Sequence, residues 1–190
     1  MNKDEVRGRM RRMRRALSAE AQREAEEAVF ARVSELGAYR RARTVMAYAA
    51  VRGELPLGRV LADALAAGKT LVLPRCAGEG VMHGHRVDAP DRLATGAYGI
   101  LEPKEAEAYQ DEANALCLVP GLAFSADGAR LGYGKGYYDT FFARHPVLKL
   151  GLCYDFQLVP QVPTQPHDVR MDGILTDKRL VLTADEERME

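Results

Sequence analysis

Cysteine is scarce in this chain of 190 residues: Cys76, Cys117 and Cys153 stand far apart and form no CxxC pair. An odd, scattered set argues against a disulfide framework or a zinc knuckle. It suits a reducing, cytoplasmic setting in which the three serve as small apolar side chains. Net charge is also missing. Twenty-seven basic residues balance 27 acidic ones, so no overall field draws the molecule to nucleic acid or an anionic membrane. Affinity for anions must therefore be local. No stretch approaches the roughly 18 apolar residues of a membrane span, and the opening MNKDEVRGRMRRMRR lacks the apolar core of a secretory signal. Two familiar phosphate motifs are absent as well. GxxxxGK[ST] fails because Lys135 precedes Gly136 and position 129 is alanine, and GxGxxG fails because Gly132, Gly134 and Gly136 run as GxGxG late in the chain.

What remains is the composition of an ordinary globular protein, 47% hydrophobic and 28% charged, long enough to bury roughly 70% of its unfolded surface in one domain spanning residues 1–190. Val6, Met10, Met13 and Leu17 recur at helical spacing, which predicts a first helix with one apolar stripe and Lys3, Arg7 and Arg14 on a neighbouring stripe. Ser18 reads as the N-cap of a second helix that ends at Gly37. From residue 44 the rhythm changes. TVMAYAA, PLGRVLADALAAG and TLVLP read as strand, helix and strand, and VMHGHRV as a further strand. ALCLVPG is a continuous apolar run of the kind found at the centre of a covered sheet. GYYDTFFARH then reads as a helix, KLGLCY as a strand, and the tail as two short strands. This alternation predicts an α/β fold: one Rossmann-like three-layer domain with a mostly parallel sheet and helices on both faces. Ligands in such sheets sit beyond the carboxyl ends of the strands, so the loops that follow strands carry the function.

The most informative of these loops is RLGYGKGYYD, Arg130 to Asp139, with three glycines in alternation around a lysine. Glycines let a backbone take positive φ and approach a ligand closely, so that successive N–H groups converge on an anion. Arg130 and Lys135 add positive charge, and a helix start follows. Asp139, one turn on, could hold magnesium beside bound phosphates. Together these features suggest a nucleotide phosphate site. Composition alone leaves a second reading, a glycine-rich turn between strand and helix.

The surroundings narrow the choice. LVPGLAF and DGARLGYGKGYYD, preceded by LVLPR and YGILEP and opened by a K-x-x-x-R helix, resemble the 5-formyltetrahydrofolate cyclo-ligase family from Lys3 to about Thr176. The resemblance implies ATP- and magnesium-dependent conversion of 5-formyltetrahydrofolate to 5,10-methenyltetrahydrofolate with release of ADP and phosphate. It implies a nucleotide site made of Lys3, Asp4, Glu5, Val6 and Arg7 with Arg130, Leu131, Gly132, Tyr133, Gly134, Lys135, Gly136, Tyr137 and Tyr138. Glu54 would bind the folate, together with Tyr133 to Tyr137, and Asp139 and Asp172 would be the magnesium ligands. Arg130 and Lys135 are the choices for stabilising charge during phosphoryl transfer, with Arg130 ranked first. Charge balance and cysteine usage lead to the expectation of a cytoplasmic protein acting on small molecules, without a nucleic-acid or membrane partner, and a monomer is expected.

The chain departs from the family's pattern at Ser125, where an aspartate is usual; Asp127 follows two positions later. Taken singly, Glu54 also reads as a surface carboxylate near a helix start, and Asp172 as a turn residue before Gly173. His83 and His85 share one face of a strand without a third ligand nearby. His145 ends a helix, and the role of His167, beside Asp168, stays open. Two rival functions fit coarser features. Seven Lys or Arg among the first fifteen residues suit a nucleic-acid-binding protein, and the α/β rhythm suits a sugar-phosphate isomerase or CoA-transferase relative.

Overall fold

The computed structural model describes residues 2–78, 80–87, 93–95, 101–103, 114–166, 168–183 and 186–189. The first helix, α1 (Lys3–Arg15), starts at Asn2, whose side chain accepts from the Asp4 and Glu5 amides while Glu5 reaches back in a capping box. Ser18 caps α2 (Ala19–Glu35) by accepting from Ala21 N. Gly37 does not supply the left-handed stop expected of it. Leu36 ends α2 in an extended conformation and Gly37 opens a short α3 (Gly37–Arg41), because Tyr39 is drawn into the core, where its hydroxyl donates to Asp63 at 2.7 Å.

The strand–helix–strand unit is β1 (Thr44–Met46), α4 (Gly58–Ala66) and β2 (Thr70–Cys76), with β1 and β2 parallel. Gly68 closes the α4 end at φ +73°. VMHGHRV supplies β3 (Met82–Val87), antiparallel to β2. Two elements are not evident in the periodicity: the hairpin of β4 (Leu93–Thr95) with β5 (Leu101–Pro103), and that of β7 (Ala123–Phe124) with β8 (Arg130–Leu131). The apolar run is β6 (Ala115–Pro120), buried at every residue. It is followed by α5 (Tyr137–Phe142), β9 (Leu148–Cys153), β10 (Gly173–Thr176), β11 (Leu180–Leu182) and α6 (Glu186–Met189).

The main sheet runs β11-β10-β9-β6-β1-β2-β3, and its five inner strands are parallel. Alternate residues face opposite ways, as strand geometry requires. Val45, Leu71, Leu116, Leu150 and Leu175 point to a core shared with α2, α3 and α4, whereas Met46, Val72, Cys117 and Ile174 point to Phe141 and Phe142 of α5. Phe124 of β7 lies so close on the second face that a Cβ at Gly121 or Gly151 would meet its ring at 2.6 or 2.5 Å. A third cluster docks Val6 and Met10 of α1 on Leu122, Ala123, Ala129 and Leu131, which seats the basic helix beside the carboxyl end of β6. Among the described residues no helix is long and apolar enough to cross a membrane.

The chain leaves β1 toward β2 on one side and places β6, β9 and β10 on the other. The order therefore reverses between β1 and β6, and a crevice opens where loops from the two strands diverge.

Candidate active site

A cavity of about 700 Å³ occupies that crevice, within the range of pockets that hold small-molecule ligands. Its wall includes Tyr48, Ala49, Val51, Arg52 and Glu54 after β1, Pro74 and Cys76 of β2, Pro120 of β6, the stretch Arg130 to Thr140, and Lys3, Arg7 and Arg11 from α1. The glycine loop is thus part of the wall. Its first residues are pinned by the β7–β8 ladder, so that only 132–136 are left to curve. Gly134 and Gly136 have φ of +91° and +70°, a region that side-chain-bearing residues enter at a cost.

Cations converge on this loop. Arg7 Nε donates to Gly132 O at 3.1 Å, and a Cβ on Gly134 would lie 3.1 Å from Arg7 Nη2. The guanidinium and the loop backbone therefore form one surface. Lys3 Nζ pairs with Asp168 at 3.2 Å. Lys135 is exposed at the loop apex and pairs with no carboxylate among the described residues. Lys3, Arg7, Arg11, Arg52, Arg130 and Lys135 in the wall outnumber Glu54, Asp139 and Asp168, a balance suited to a polyanion.

The deeper end of the wall is built around Glu54, which is 5% exposed. The turn before it carries two consecutive left-handed residues, Arg52 at φ +52° and Gly53 at +73°, and Glu54 N donates to Val51 O at 2.9 Å. The Glu54 carboxylate accepts from Val51 N at 3.1 Å and from the Tyr133 hydroxyl at 3.0 Å. Tyr133 in turn accepts from Arg14 Nη1 at 2.9 Å, and the Arg11 and Arg52 guanidinium carbons lie 5.8 and 5.9 Å from its ring centroid. Burial pushes the Glu54 carboxyl above the usual carboxylate range, opposed by the Val51 amide, Arg14, Tyr133 and Arg52. Burial first, and then the Glu54 charge, push the Tyr133 phenol up to about 12, so its proton stays in place at neutral pH.

Arg130 stands at the opposite side of the loop, only 9% exposed. Its Nη2 donates to both Asp139 oxygens at 3.3 and 3.2 Å, and its guanidinium carbon lies 5.2 Å from the Tyr138 ring centroid. Asp139 also accepts from Val169 N at 3.2 Å. A carboxylate has about four lone-pair sites, and Asp139 is a quarter exposed in the cavity wall, so it fits a single carboxylate ligand to a magnesium ion carried on phosphates. Asp172 does not join it. The Asp172 carboxylate accepts from Lys149 N at 2.7 Å and pairs with Lys149 Nζ at 2.8 Å, outside the cavity wall. Asp168, four residues earlier, lines the cavity instead. Among the described residues no cluster of three or more histidine, cysteine, aspartate or glutamate side chains could hold a metal, His83 and His85 included. His167 and the first residues of YGILEP lie outside the described residues.

Within the N-terminal segment, Lys3 and Arg7 reach the cavity while three neighbours do not line it. Asp4 pairs with Arg7 at 2.8 Å, Glu5 serves the cap, and Val6 is in the core at 2% exposure. Leu131, Gly132, Tyr133, Gly134, Lys135, Gly136, Tyr137 and Tyr138 all line the cavity. Ser125 and Asp127 lie behind it in the β7–β8 turn, where the Ser125 hydroxyl donates to Asp127 at 2.6 Å. That bond and the Arg170 partner hold the Asp127 carboxyl down to about 2. Arg11, Arg52, Cys76 and Asp168 also line the cavity and Arg14 braces Tyr133, although none belongs to the site that the motifs imply. Arg11 and Arg14 could have been found, since they continue the i, i+4, i+7 spacing of Arg7 on α1. Arg52, Cys76 and Asp168 lie in AVRGELP, PRC and DVRMD, stretches where the strand order leads one to expect ligands, but no spacing singles out these side chains.

Comparison with known proteins gives the family and the fold. The sequence model of the 5-formyltetrahydrofolate cyclo-ligase family matches residues 1–177. A probable 5-formyltetrahydrofolate cyclo-ligase of Caenorhabditis elegans is 29% identical over 95% of either chain, and the mouse 5-formyltetrahydrofolate cyclo-ligase is 27% identical over 90% of this chain and 91% of its own. The NMR structure of Aquifex aeolicus 5,10-methenyltetrahydrofolate synthetase superposes with a TM-score of 0.86 at 34% identity, covering 100% of this chain and 97% of that one.

Proposed function

We propose that this chain, which belongs to the 5-formyltetrahydrofolate cyclo-ligase family, closes the ring of 5-formyltetrahydrofolate to 5,10-methenyltetrahydrofolate at the expense of ATP, through phosphorylation of the formyl oxygen. One observation carries the reading: the cationic glycine loop and the buried Glu54 carboxylate face one cavity and are joined through Tyr133.

The chemistry explains why both are needed. A formamide carbon is a poor electrophile, and its oxygen leaves poorly as water. Transfer of the γ-phosphoryl to that oxygen releases ADP and makes an imino-phosphate. N10 then attacks the formyl carbon, the carbon–oxygen bond breaks, phosphate departs and N10 loses its proton. Such a transfer requires alignment and charge neutralisation more than covalent help. Loop amides 132–136, with Arg7 and Lys3, would cradle the triphosphate, and Lys135 at the apex would meet the transferring group. Arg130, tied to Asp139, would act by fixing that carboxylate. Magnesium would neutralise phosphate charge, and Asp139 is the residue that would hold it. Glu54 presents two acceptor oxygens to the adjacent donors of a pterin edge, and the tyrosines offer faces to flat rings.

The test is direct. Folded protein supplied with magnesium-ATP and 5-formyltetrahydrofolate should generate the methenyl absorbance with one ADP per product. Absence of turnover under those conditions rejects the assignment.

A further inference from the structure

We propose that Arg14 is a positioning residue that sets Glu54 through the Tyr133 hydroxyl, joining the substrate-binding carboxylate to the phosphate loop. The proposal deepens the functional reading and rests on it for the role of Glu54.

Arg14 is 2% exposed, a degree of burial at which an arginine costs several kcal/mol unless its donors and charge are answered. Among the described residues no carboxylate touches it. Its Nη2 donates to Gly121 O, a carbonyl that also accepts from Gln157 Nε2 at 3.0 Å, while Nη1 donates to Tyr133. The anion that answers it is Glu54, one hydroxyl away. The direction of this chain is fixed by chemistry. A guanidinium can only donate and an ionised carboxylate can only accept, so the Tyr133 oxygen must accept from Arg14 while its O–H donates to Glu54. The Arg14 stem also supports the turn that aims Glu54, since a Cβ on Gly53 would stand 3.4 Å from Arg14 Cβ.

Three site-forming segments therefore meet on one side chain: the turn after β1, the end of β6 and the glycine loop. An apolar residue would continue the Val6–Met10 packing at that position without burying a charge. The arginine supplies what an apolar residue cannot, a fixed donor to Tyr133. The groups facing Glu54 are Arg52 on its own turn, Tyr48 after β1, Tyr133 and Tyr138 from the loop and α5, Tyr154 after β9 and Arg14 from α1. Of the two cations, Arg52 is exposed and Arg14 is not, so solvent screens Arg14 least.

Tyr133→Phe removes the bridge and keeps the ring. In the full chain labelled with ¹³C-glutamate, the Glu54 carboxyl signal, identified by its loss in Glu54→Gln, should titrate about one pH unit higher in Tyr133→Phe than in the parent, the equivalent of one charge-assisted hydrogen bond. The KM for 5-formyltetrahydrofolate should rise about tenfold, with kcat held within about twofold. Arg14→Met should shift the same signal at least as far. If that variant does not fold, Tyr133→Phe decides alone. An unchanged Glu54 midpoint in Tyr133→Phe overturns the relay even where activity falls. A parent without turnover would remove the functional reading, while the titration would still decide the relay.

Discussion

Arg130 and Asp139 are bound through a single nitrogen: Nη2 lies 3.3 and 3.2 Å from the two oxygens of the carboxylate. The pair is asymmetric, because the arginine side chain is 5% exposed and the aspartate 24%. Each partner should therefore fail differently when replaced.

Asp139→Asn keeps an acceptor for Val169 N and Arg130, so melting should fall by no more than a few degrees while turnover drops by about 10² or more. Arg130→Ala leaves a buried void beside Asp139 and should lower both, because a core-like truncation is added to the lost charge. The magnesium concentration for half-maximal rate should rise in Asp139→Asn and stay unchanged in Asp172→Asn, whose carboxylate is engaged by Lys149. Thermal melts and magnesium titrations of turnover separate the three variants.

Gly134→Ala and Gly136→Ala distinguish backbone strain from crowding. Both positions have positive φ, but an added Cβ at 134 meets Arg7 Nη2 at 3.1 Å whereas one at 136 meets nothing within 4 Å. Both should lose about 1 kcal/mol of loop stability. Only Gly134→Ala should also displace Arg7 and raise the KM for ATP by about tenfold or more. Equal KM values in the two variants would remove Arg7 from the phosphate site.

Ser125→Asp should destabilise this chain. The new carboxylate would be buried where the Ser125 hydroxyl now donates to Asp127 at 2.6 Å, setting like charges in contact. Ser125→Asp with Asp127→Ser should recover most of the loss, since the donor and acceptor then exchange places. A double variant no more stable than the single one would show that the two positions are not coupled.

Glu54 should make stability pH-dependent in a defined direction. Its folded-state pKa is raised above the ordinary 4.5, so the folded state holds this proton more tightly than the unfolded chain. That contribution is fully present below pH 4.5 and is lost as pH rises through the folded value. Glu54→Gln should therefore gain melting temperature relative to the parent between pH 4 and pH 7, while losing affinity for the folate. A difference in melting that stays constant over that range would contradict the shift.

Much of this architecture was legible locally. The Val6–Met10–Met13 stripe, the Ser18 cap, the strand–helix–strand unit and the apolar run of β6 each follow from near neighbours along the chain, because helical and strand periods are properties of a few consecutive residues. The glycine loop was legible for the same reason, since alternating glycines beside Arg130 and Lys135 state a backbone requirement directly. Gly37 misled because a glycine after a helix is also free to open another, and the core's need for Tyr39 decided between them. The two hairpins were not evident because strands of two or three residues carry too few alternations to show a period.

By itself, then, the sequence determined the α/β order, the sheet centre and the presence of a cationic glycine loop, since these depend on contacts between residues close in the chain. Only the tertiary structure decided which charges meet. Asp172 is held by Lys149, 23 residues earlier, Lys3 by Asp168, and Arg14 is linked to Glu54 through Tyr133, 119 residues away. The sheet order that opens a crevice between β1 and β6 creates these encounters. No local period records them, because the pairing of distant side chains is fixed by burial and strand order rather than by spacing along the chain.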